Sequence, residues 1–392
     1  MPSLKDKLRM IDAEPRRSEA AHPAPAPSEP FYRRVDRFPL SSFSQLRHMR
    51  APVLREIFDL TLPAGLRPAD VLFLDTETTG LSGGAGTLAF QVGLGYLSGG
   101  EYVVEQLMIR DYHEEAAMLA EVARLTARFP LLVTFNGRTF DVPLLQNRCL
   151  LNRIRPDPFT AQHADVLHAA RRVWKLRLGR CTLQRLEQAV LGVSREDDLP
   201  GDQVPQTFFR FLQTGDFGPI ERVLEHNRQD VVSLAQLFFF LCRLYDQPET
   251  ACETADLFAM ARAMEKRGHT AKAKKCYRLA AREGTRASAF AALAAREKRE
   301  GRTQRAARLY ATMLARGDQP VDACEALAKL YEHQLKSPEQ ALVYTRQALL
   351  LLSEPSLLPG EAVQSRRNAL QYRYARLRRI LAGEAKQQED EP

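Results

Sequence analysis

The run Val71-Leu72-Phe73-Leu74-Asp75-Thr76-Glu77-Thr78-Thr79-Gly80-Leu81 constrains this chain more than any other segment. An apolar strand ends in two carboxylates two residues apart, followed at once by Thr-Thr-Gly. Side chains alternate along a strand, so Asp75 and Glu77 share a face at the strand's end. Carboxylates held together repel unless a cation stands between them, and oxygen ligands suit Mg²⁺ or Mn²⁺. The plain alternative is a turn whose Asp and Glu face water.

The 392 residues exceed one ordinary core, so two domains with tails are expected. Residues 1–38, rich in Pro, Ala and charge, read as a disordered leader. Residues 39–67 read as a helical lead-in, with a helix near 43–60 whose Leu46, Val53, Leu54, Ile57 and Phe58 pack on the next domain. Over 68–247, strands are expected at 71–75, 88–96, 101–109 and 131–135, with a hairpin at Ser98-Gly99-Gly100. Helices are expected at 113–128, after Pro143, and at 165–175, 182–191 and 219–244. This alternation predicts an α/β fold, a mixed sheet with helices packed on it.

Over 250–352 the strand pattern gives way to Ala-rich helical text. Tyr277 and Tyr310 stand four residues after Ala273 and Ala306, Tyr344 stands three after Ala341, slightly out of frame, and the tyrosines are 33 and 34 residues apart. That is the period of tetratricopeptide-like helical hairpins, and a plain helical bundle is the alternative. Gly268, Gly284, Gly301 and Gly317 fall where the turns belong. Residues 353–392 read as a helical and acidic tail.

A net charge of +8 and a pI near 9.2 permit a polyanionic partner without demanding one. The clusters Arg171, Arg172, Lys175, Arg177, Arg180 and Lys266, Arg267, Lys272, Lys274, Lys275 are either phosphate tracks or solvated helix faces. Six scattered cysteines fit neither a zinc site nor a disulfide framework, which points to a reducing cytoplasm. No stretch approaches the ~18 apolar residues a membrane helix needs, and the start lacks an apolar signal core. A Gly-x-x-x-x-Gly-Lys phosphate loop, a Gly-x-Ser-x-Gly nucleophile and a dinucleotide fingerprint are all missing.

Two further segments bear on the carboxylate pair. In Phe135-Asn136-Gly137-Arg138-Thr139-Phe140-Asp141-Val142-Pro143, Asp141 opens a helix that tolerates Pro143 in its first turn. It is either a metal ligand or an ordinary N-cap. In His226-Asn227-Arg228-Gln229-Asp230-Val231, His226 and Asp230 lie one helical turn apart. They form either a surface pair or the base-and-ligand pair that activation of a water requires. Asp165, in His163-Ala164-Asp165-Val166, reads as a helix cap, the alternative being a place near the site.

Together these segments resemble the exonuclease superfamily of ribonuclease H-like fold with four acidic ligands, abbreviated DEDD. Within it, the chain is most similar to the bacterial YprB-like branch with tetratricopeptide-like repeats. The similarity covers roughly residues 68–245: Asp-x-Glu-Thr-Thr-Gly-Leu, Phe-Asn-Gly-x-x-Phe-Asp-x-Pro-Leu-Leu, Leu199-Pro200-Gly201 before an aromatic helix, and His-Asn-x-x-Asp-Val. The resemblance implies a ribonuclease H-like mixed sheet followed by an all-α repeat domain. It implies a 3′–5′ exonuclease of DNA or RNA in which Asp75, Glu77, Asp141 and Asp230 hold two Mg²⁺ or Mn²⁺ ions. One ion would activate the attacking water and the other would stabilise the leaving 3′ oxygen. His226 would be the base, Thr78, Gly80 and Leu81 would support the terminal nucleotide, and Asn136 would touch its sugar or phosphate. The implied partners are a single-stranded 3′ end and a protein held by the repeats, with no membrane. One departure stands out: a histidine base in this family is usually separated from the last Asp by four residues, whereas three intervene here, the spacing of its tyrosine members. A nucleic-acid-binding protein that does not cut, or a scaffold built on the repeats, are the alternatives.

Overall fold

Six strands form one mixed sheet in the order β1-β4-β3-β2-β5-β6: β1 (Tyr32–Pro39), β2 (Val71–Thr78), β3 (Ala89–Ser98), β4 (Glu101–Met108), β5 (Leu131–Thr134) and β6 (Gln162–Asp165). The pairs β1–β4, β4–β3 and β3–β2 are antiparallel, while β2–β5 and β5–β6 are parallel. This is a computed structural model, and it describes residues 29–43, 45–63, 65–80, 86–155, 159, 161–195, 198–282, 287–353 and 360–389. The chain divides into two units at Gln247 and Pro248.

In the first unit, β2 is central and covered on both faces, so Val71 to Leu74 are wholly buried and read as one apolar run. The β3–β4 hairpin turns at Gly99 and Gly100, both at positive φ (62° and 81°). A two-residue type I′ hairpin turn requires this of both central residues. The helices are α1 (Ala51–Phe58), α2 (Glu115–Thr126), α3 (Asp141–Leu151), α4 (Val166–Leu178), α5 (Leu183–Leu186), α6 (Val204–Thr214) and α7 (Gly218–Asp246).

Four expectations shift. The leader expected over 1–38 is too long, because its last residues form β1, and Phe31 is buried in the core. The helix expected near 43–60 shrinks to α1, preceded by 3₁₀ turns at Leu40–Phe43 and Leu46–His48. Pro52 fits a helix's first turn, and the extended Arg50 before it forces the late start. The helix expected over 182–191 is α5 followed by a π-turn, Glu187–Leu191. Strand β6 had no sequence signal at all.

Edge strand β1 is fastened by charge. Arg33 donates to Glu29 and Glu121 at 2.8 and 2.9 Å and pairs with Glu105, which also accepts from the Tyr96 hydroxyl at 2.8 Å. On the face that carries Asp75 and Glu77, α7 lies close against the sheet. A Cβ added to Gly93 would stand 2.2 Å from Asn227 Oδ1 and 2.8 Å from Val231 Cγ2. One added to Gly95 would stand 2.0 Å from the Tyr102 hydroxyl. These two glycines are what admit α7.

The second unit is all helical among its described residues: α8 (Thr254–Lys266), α9 (Thr270–Arg282), α10 (Ala287–Arg299), α11 (Thr303–Ala315), α12 (Pro320–His333), α13 (Pro338–Leu351) and α14 (Gly360–Glu389). The pairs α8–α9, α10–α11 and α12–α13 pack as hairpins. Ala273, Ala306 and Ala341, one on each second helix, are wholly buried. Gly268, Gly301 and Gly317 take positive φ beside the helix ends, whereas Gly284 lies outside the described residues. No helix among the described residues is long and apolar enough to cross a membrane.

Arg33→Ala should lower stability by about 2 kcal/mol, since it leaves Glu105 buried with one partner fewer. The Arg124 hydrogen bond, with that of Arg33, holds Glu121 down from 4.5 to about 2. A depressed carboxylate stabilises the fold above its unfolded pKa and loses that contribution as pH falls. Urea unfolding of the wild type should therefore weaken between about pH 4.5 and 2, and Arg33→Ala should flatten this loss. Gly93→Ala should cost about 1–3 kcal/mol by pressing α7 off the sheet, read as a fall in melting temperature.

Candidate active site

Asp75 stands at the fifth position of β2, opposite Gly93 on β3. Residues directly opposite in an antiparallel pair point to the same face, as do Glu77 and its partner Gln91. Asn227, wholly buried on α7, joins these strands. Its Oδ1 accepts from Gln91 Nε2 at 3.1 Å and Gln106 Nε2 at 3.0 Å, so its amide NH₂ must face the other way. There Nδ2 donates to Asp75 Oδ2 at 2.9 Å. The same helix is held by the Tyr102 hydroxyl donating to the Val231 carbonyl at 3.1 Å.

Asp141 is the first residue of α3, with Phe140 as N-cap, and its carboxylate accepts from Thr76 Oγ1. Asp165 is the N-cap of α4. It accepts from the backbone N–H of Leu167 at 3.0 Å, of Asn136 at 2.9 Å and of Arg138 at 3.3 Å. It thus fixes the loop that delivers Asp141. Asn136 sits at φ 68°, a left-handed conformation Asn tolerates, and its Oδ1 accepts from Thr139 Oγ1. Thr78 Oγ1 donates to the Gly80 carbonyl at 3.0 Å, closing the turn after β2. Leu81 lies outside the described residues.

Asp75, Glu77, Asp141 and Asp230 share one electrostatic neighbourhood. They are half-buried by surface area, yet protein atoms surround them closely enough that desolvation is the first cause of each shift. Burial, then the charges of Asp230, Asp141 and Glu77, pushes Asp75 well above the usual carboxylate range. Burial, then Asp230 and Asp141, does the same to Glu77. Burial raises Asp141 to about 6 against the opposing Thr76 hydrogen bond. Asp230 is raised by burial despite His226 and Arg195. Among the described residues no three His, Cys, Asp or Glu side chains stand in finished ligating geometry. Asn227 and Thr76 each hold a carboxylate oxygen of this group, on Asp75 and Asp141.

The loop after the π-turn brings two residues that the sequence did not mark. Arg195 donates to Glu187 Oε2 at 2.8 Å and to Asp198 Oδ2 at 3.1 Å, and pairs with Asp230. The π-turn buries Glu187 and aims it at this guanidinium. Asp198 Oδ1 stands 2.7 Å from His226 Nδ1, and His226 Nε2 stands 3.7 Å from Asp230 Oδ2. Burial would raise Asp198, but the hydrogen bond and charge of His226, with Arg195, bring it below its ordinary value. A cavity of about 250 Å³ lined by Arg195, Asp198, Arg222, Glu225 and Gln229 opens beside the pair. Phe140, 46% exposed, lies next to Asp141 in the chain. Neither Asp198 nor Arg195 has a spacing to any other site residue that a sequence pattern could detect.

The basic residues of α4 stand elsewhere. Arg172 donates to the Ile57 carbonyl. Arg171, Lys175 and Arg180 are exposed, six or more residues beyond the N-cap Asp165, about 9 Å or farther along the helix axis.

Residues 72–242 match the model of the RNase_H superfamily. The chain is 31% identical over 351 residues to the uncharacterized protein YprB of Bacillus subtilis, covering 87% of this chain and 82% of that protein. Residues 72–242, which hold the sheet from β2 to β6, are thus an RNase_H superfamily domain, and the chain belongs to the family of YprB.

Proposed function

We propose that this chain is a metal-dependent 3′–5′ exonuclease of DNA or RNA, of the DEDD type, acting in the cytoplasm. The observation that carries the reading is the clustering of Asp75, Glu77, Asp141 and Asp230: burial raises all four carboxyls, and the charges of Asp230 and Asp141 raise Asp75 and Glu77 further. Such a cluster is short of positive charge, and its donors are hard oxygens that fit Mg²⁺ or Mn²⁺. These four carboxylates would hold the ions. Bound there, the ions would supply Lewis acidity, neutralising charge at the phosphodiester and acidifying a water.

The chain's own residues perform the rest. Asp198 accepts a proton-bearing Nδ1 and so leaves His226 Nε2 as the acceptor for the proton of the attacking water. The three-residue gap to Asp230 puts this Nε2 on the ligand's side of α7. Arg195 fixes the Asp230 carboxylate against Glu187, and Asn227 fixes that of Asp75. Thr78 and Gly80 would border the terminal nucleotide, the resemblance adding Leu81 to them; Asn136 would meet its sugar or phosphate, and the exposed Phe140 ring offers a base a stacking surface. The helical hairpins are read as tetratricopeptide-like repeats that take a protein partner or extend the nucleic-acid track. A second reading, a nucleic-acid-binding protein that does not cut, is favoured by one observation: Arg195 already provides Asp230 with a cation.

With 5′-labelled single-stranded oligonucleotides, Mn²⁺ or Mg²⁺ should give a ladder shortening from the 3′ end, and EDTA should abolish it. Asp75→Ala should lower the rate at least about a hundredfold. Without cleavage but with binding intact, the second reading stands. Independently of activity, Mn²⁺ should raise the melting temperature of the wild type by mass action on the folded state. Asp75→Asn should melt higher than wild type without metal, because repulsion falls, and lose most of the Mn²⁺ shift.

Asp198→Asn should lower kcat by about 10²–10⁴ while keeping the Mn²⁺ shift, because it disturbs the base and not the ligands. An unchanged kcat would remove Asp198 from the mechanism.

A further inference from the structure

The net charge of +8 belongs entirely to one unit. Residues 1–247 carry 30 Lys and Arg against 30 Asp and Glu, and residues 248–392 carry 26 against 18. Within the second unit the excess is again divided unevenly. The first helices of the hairpins, α8, α10 and α12, hold six basic and six acidic residues. The second helices, α9, α11 and α13, hold eight basic residues against Glu339 alone.

The acids are largely engaged inside the unit. Glu265 takes Arg296 and Arg299, Glu297 takes Lys274 and Arg302, and Glu332 takes Arg373 and Arg376. By contrast Arg278, Arg305, Arg308 and Arg346 are exposed and form no ion pair among the described residues. Lys275 meets Glu249 at 2.7 Å with both half-exposed, a pair that solvent screens.

The surplus is also in register. Counted from the buried alanines Ala273, Ala306 and Ala341, Lys272 and Arg305 precede by one residue. Lys275 and Arg308 follow by two, and Arg278 and Arg346 follow by five. These offsets are three apart, so they form a stripe of three on α9 and of two on α11, with steps of about 4.5 Å along the axis, and Arg346 alone takes one of the same offsets on α13.

We infer that this repeated stripe on the second helices is a phosphate-binding surface for single-stranded nucleic acid. The inference rests on the nuclease reading of the first unit. A first unit with clustered carboxylates and balanced charge offers a polyanion no net attraction. The repeats supply it, through arginines and lysines that read phosphate and no sequence.

The test is binding of a fluorescein-labelled 30-nucleotide single strand by the full chain in EDTA, read by anisotropy across a salt series. Replacing Lys275, Arg278, Arg305, Arg308 and Arg346 with Gln should weaken binding at least tenfold near 0.1 M salt. The slope of log K against log salt should fall by about 0.7 for every charge that meets a phosphate. A second variant with the four arginines changed to Lys keeps the charge and should bind as the wild type does. Equal affinity of the Gln variant, or an equal loss in the Lys variant, would overturn the inference. So would unchanged oligonucleotide binding with lost binding to phosphatidylserine vesicles, which would assign the stripe to a membrane. Because EDTA removes cleavage from the readout, a chain that binds through the stripe yet never cuts sinks the exonuclease and leaves this surface standing.

Discussion

The close seating of α7 on the sheet is the contact on which the candidate site depends. Gly93 and Gly95 are two apart on one strand and so open the same face, where any side chain would collide with Asn227, Val231 or Tyr102. Into that space comes Asn227, whose amide is oriented by two glutamines and turned onto Asp75. Three and one positions away on the same helix stand Asp230 and His226. With α7 seated this closely, the charge of Asp230 raises the pKa of Asp75.

That proximity has an energetic consequence. Burial raises all four carboxyls, and the charges of Asp230 and Asp141 raise Asp75 and Glu77 further, so the folded chain carries a cost that unfolding would relieve. The offset lies directly beneath. Phe73 packs edge-on to Tyr102, Phe238 and Phe239 with ring centroids 5.5–6.0 Å apart, next to the wholly buried Val71 to Leu74. Arg195 gives a second, partial offset, and its own burial is compensated by Glu187, which the π-turn brings inward. A π-turn is an uncommon way to finish a helix and tends to mark functional positions. Here it places a buried anion where an α-helical turn would have directed it otherwise.

The strand-end carboxylates, the glycine hairpin and the histidine–aspartate turn of α7 were legible because each follows from a local period, two along a strand or 3.6 along a helix. What was illegible depends on distant partners. Strand β1 contains Arg33-Arg34-Val35-Asp36-Arg37, which resembles solvated text, and it becomes a strand because Glu105 and Glu121, 72 and 88 residues away, take Arg33. Strand β6, Gln162-His163-Ala164-Asp165, has no apolar run and forms by parallel pairing with β5. Asp198 and Arg195 lie in a loop whose residues face His226 and Asp230 only through the fold. The alternation Val92-Gly93-Leu94-Gly95 was on the page as a strand, and two glycines on one face of it are a readable sign that something must approach closely.

The division of charge between the units follows from the same electrostatics. A site that concentrates carboxylates repels phosphate until cations arrive, and even then its neutrality is local. Long-range attraction therefore has to come from elsewhere in the chain, and over distances beyond about 10 Å at 0.1 M salt only a large, uncompensated surplus survives screening. The first unit has no such surplus: its basic residues are balanced one for one, and those of α4 stand along the helix away from Asp165. The second helices have it, in positions that repeat with the buried alanines. A repeat array multiplies a motif without new design, since each hairpin that buries its alanine at one offset exposes a basic side chain at another. Clustered carboxylates and surplus basic charge, which conflict within a single site, thereby stand in different parts of one chain.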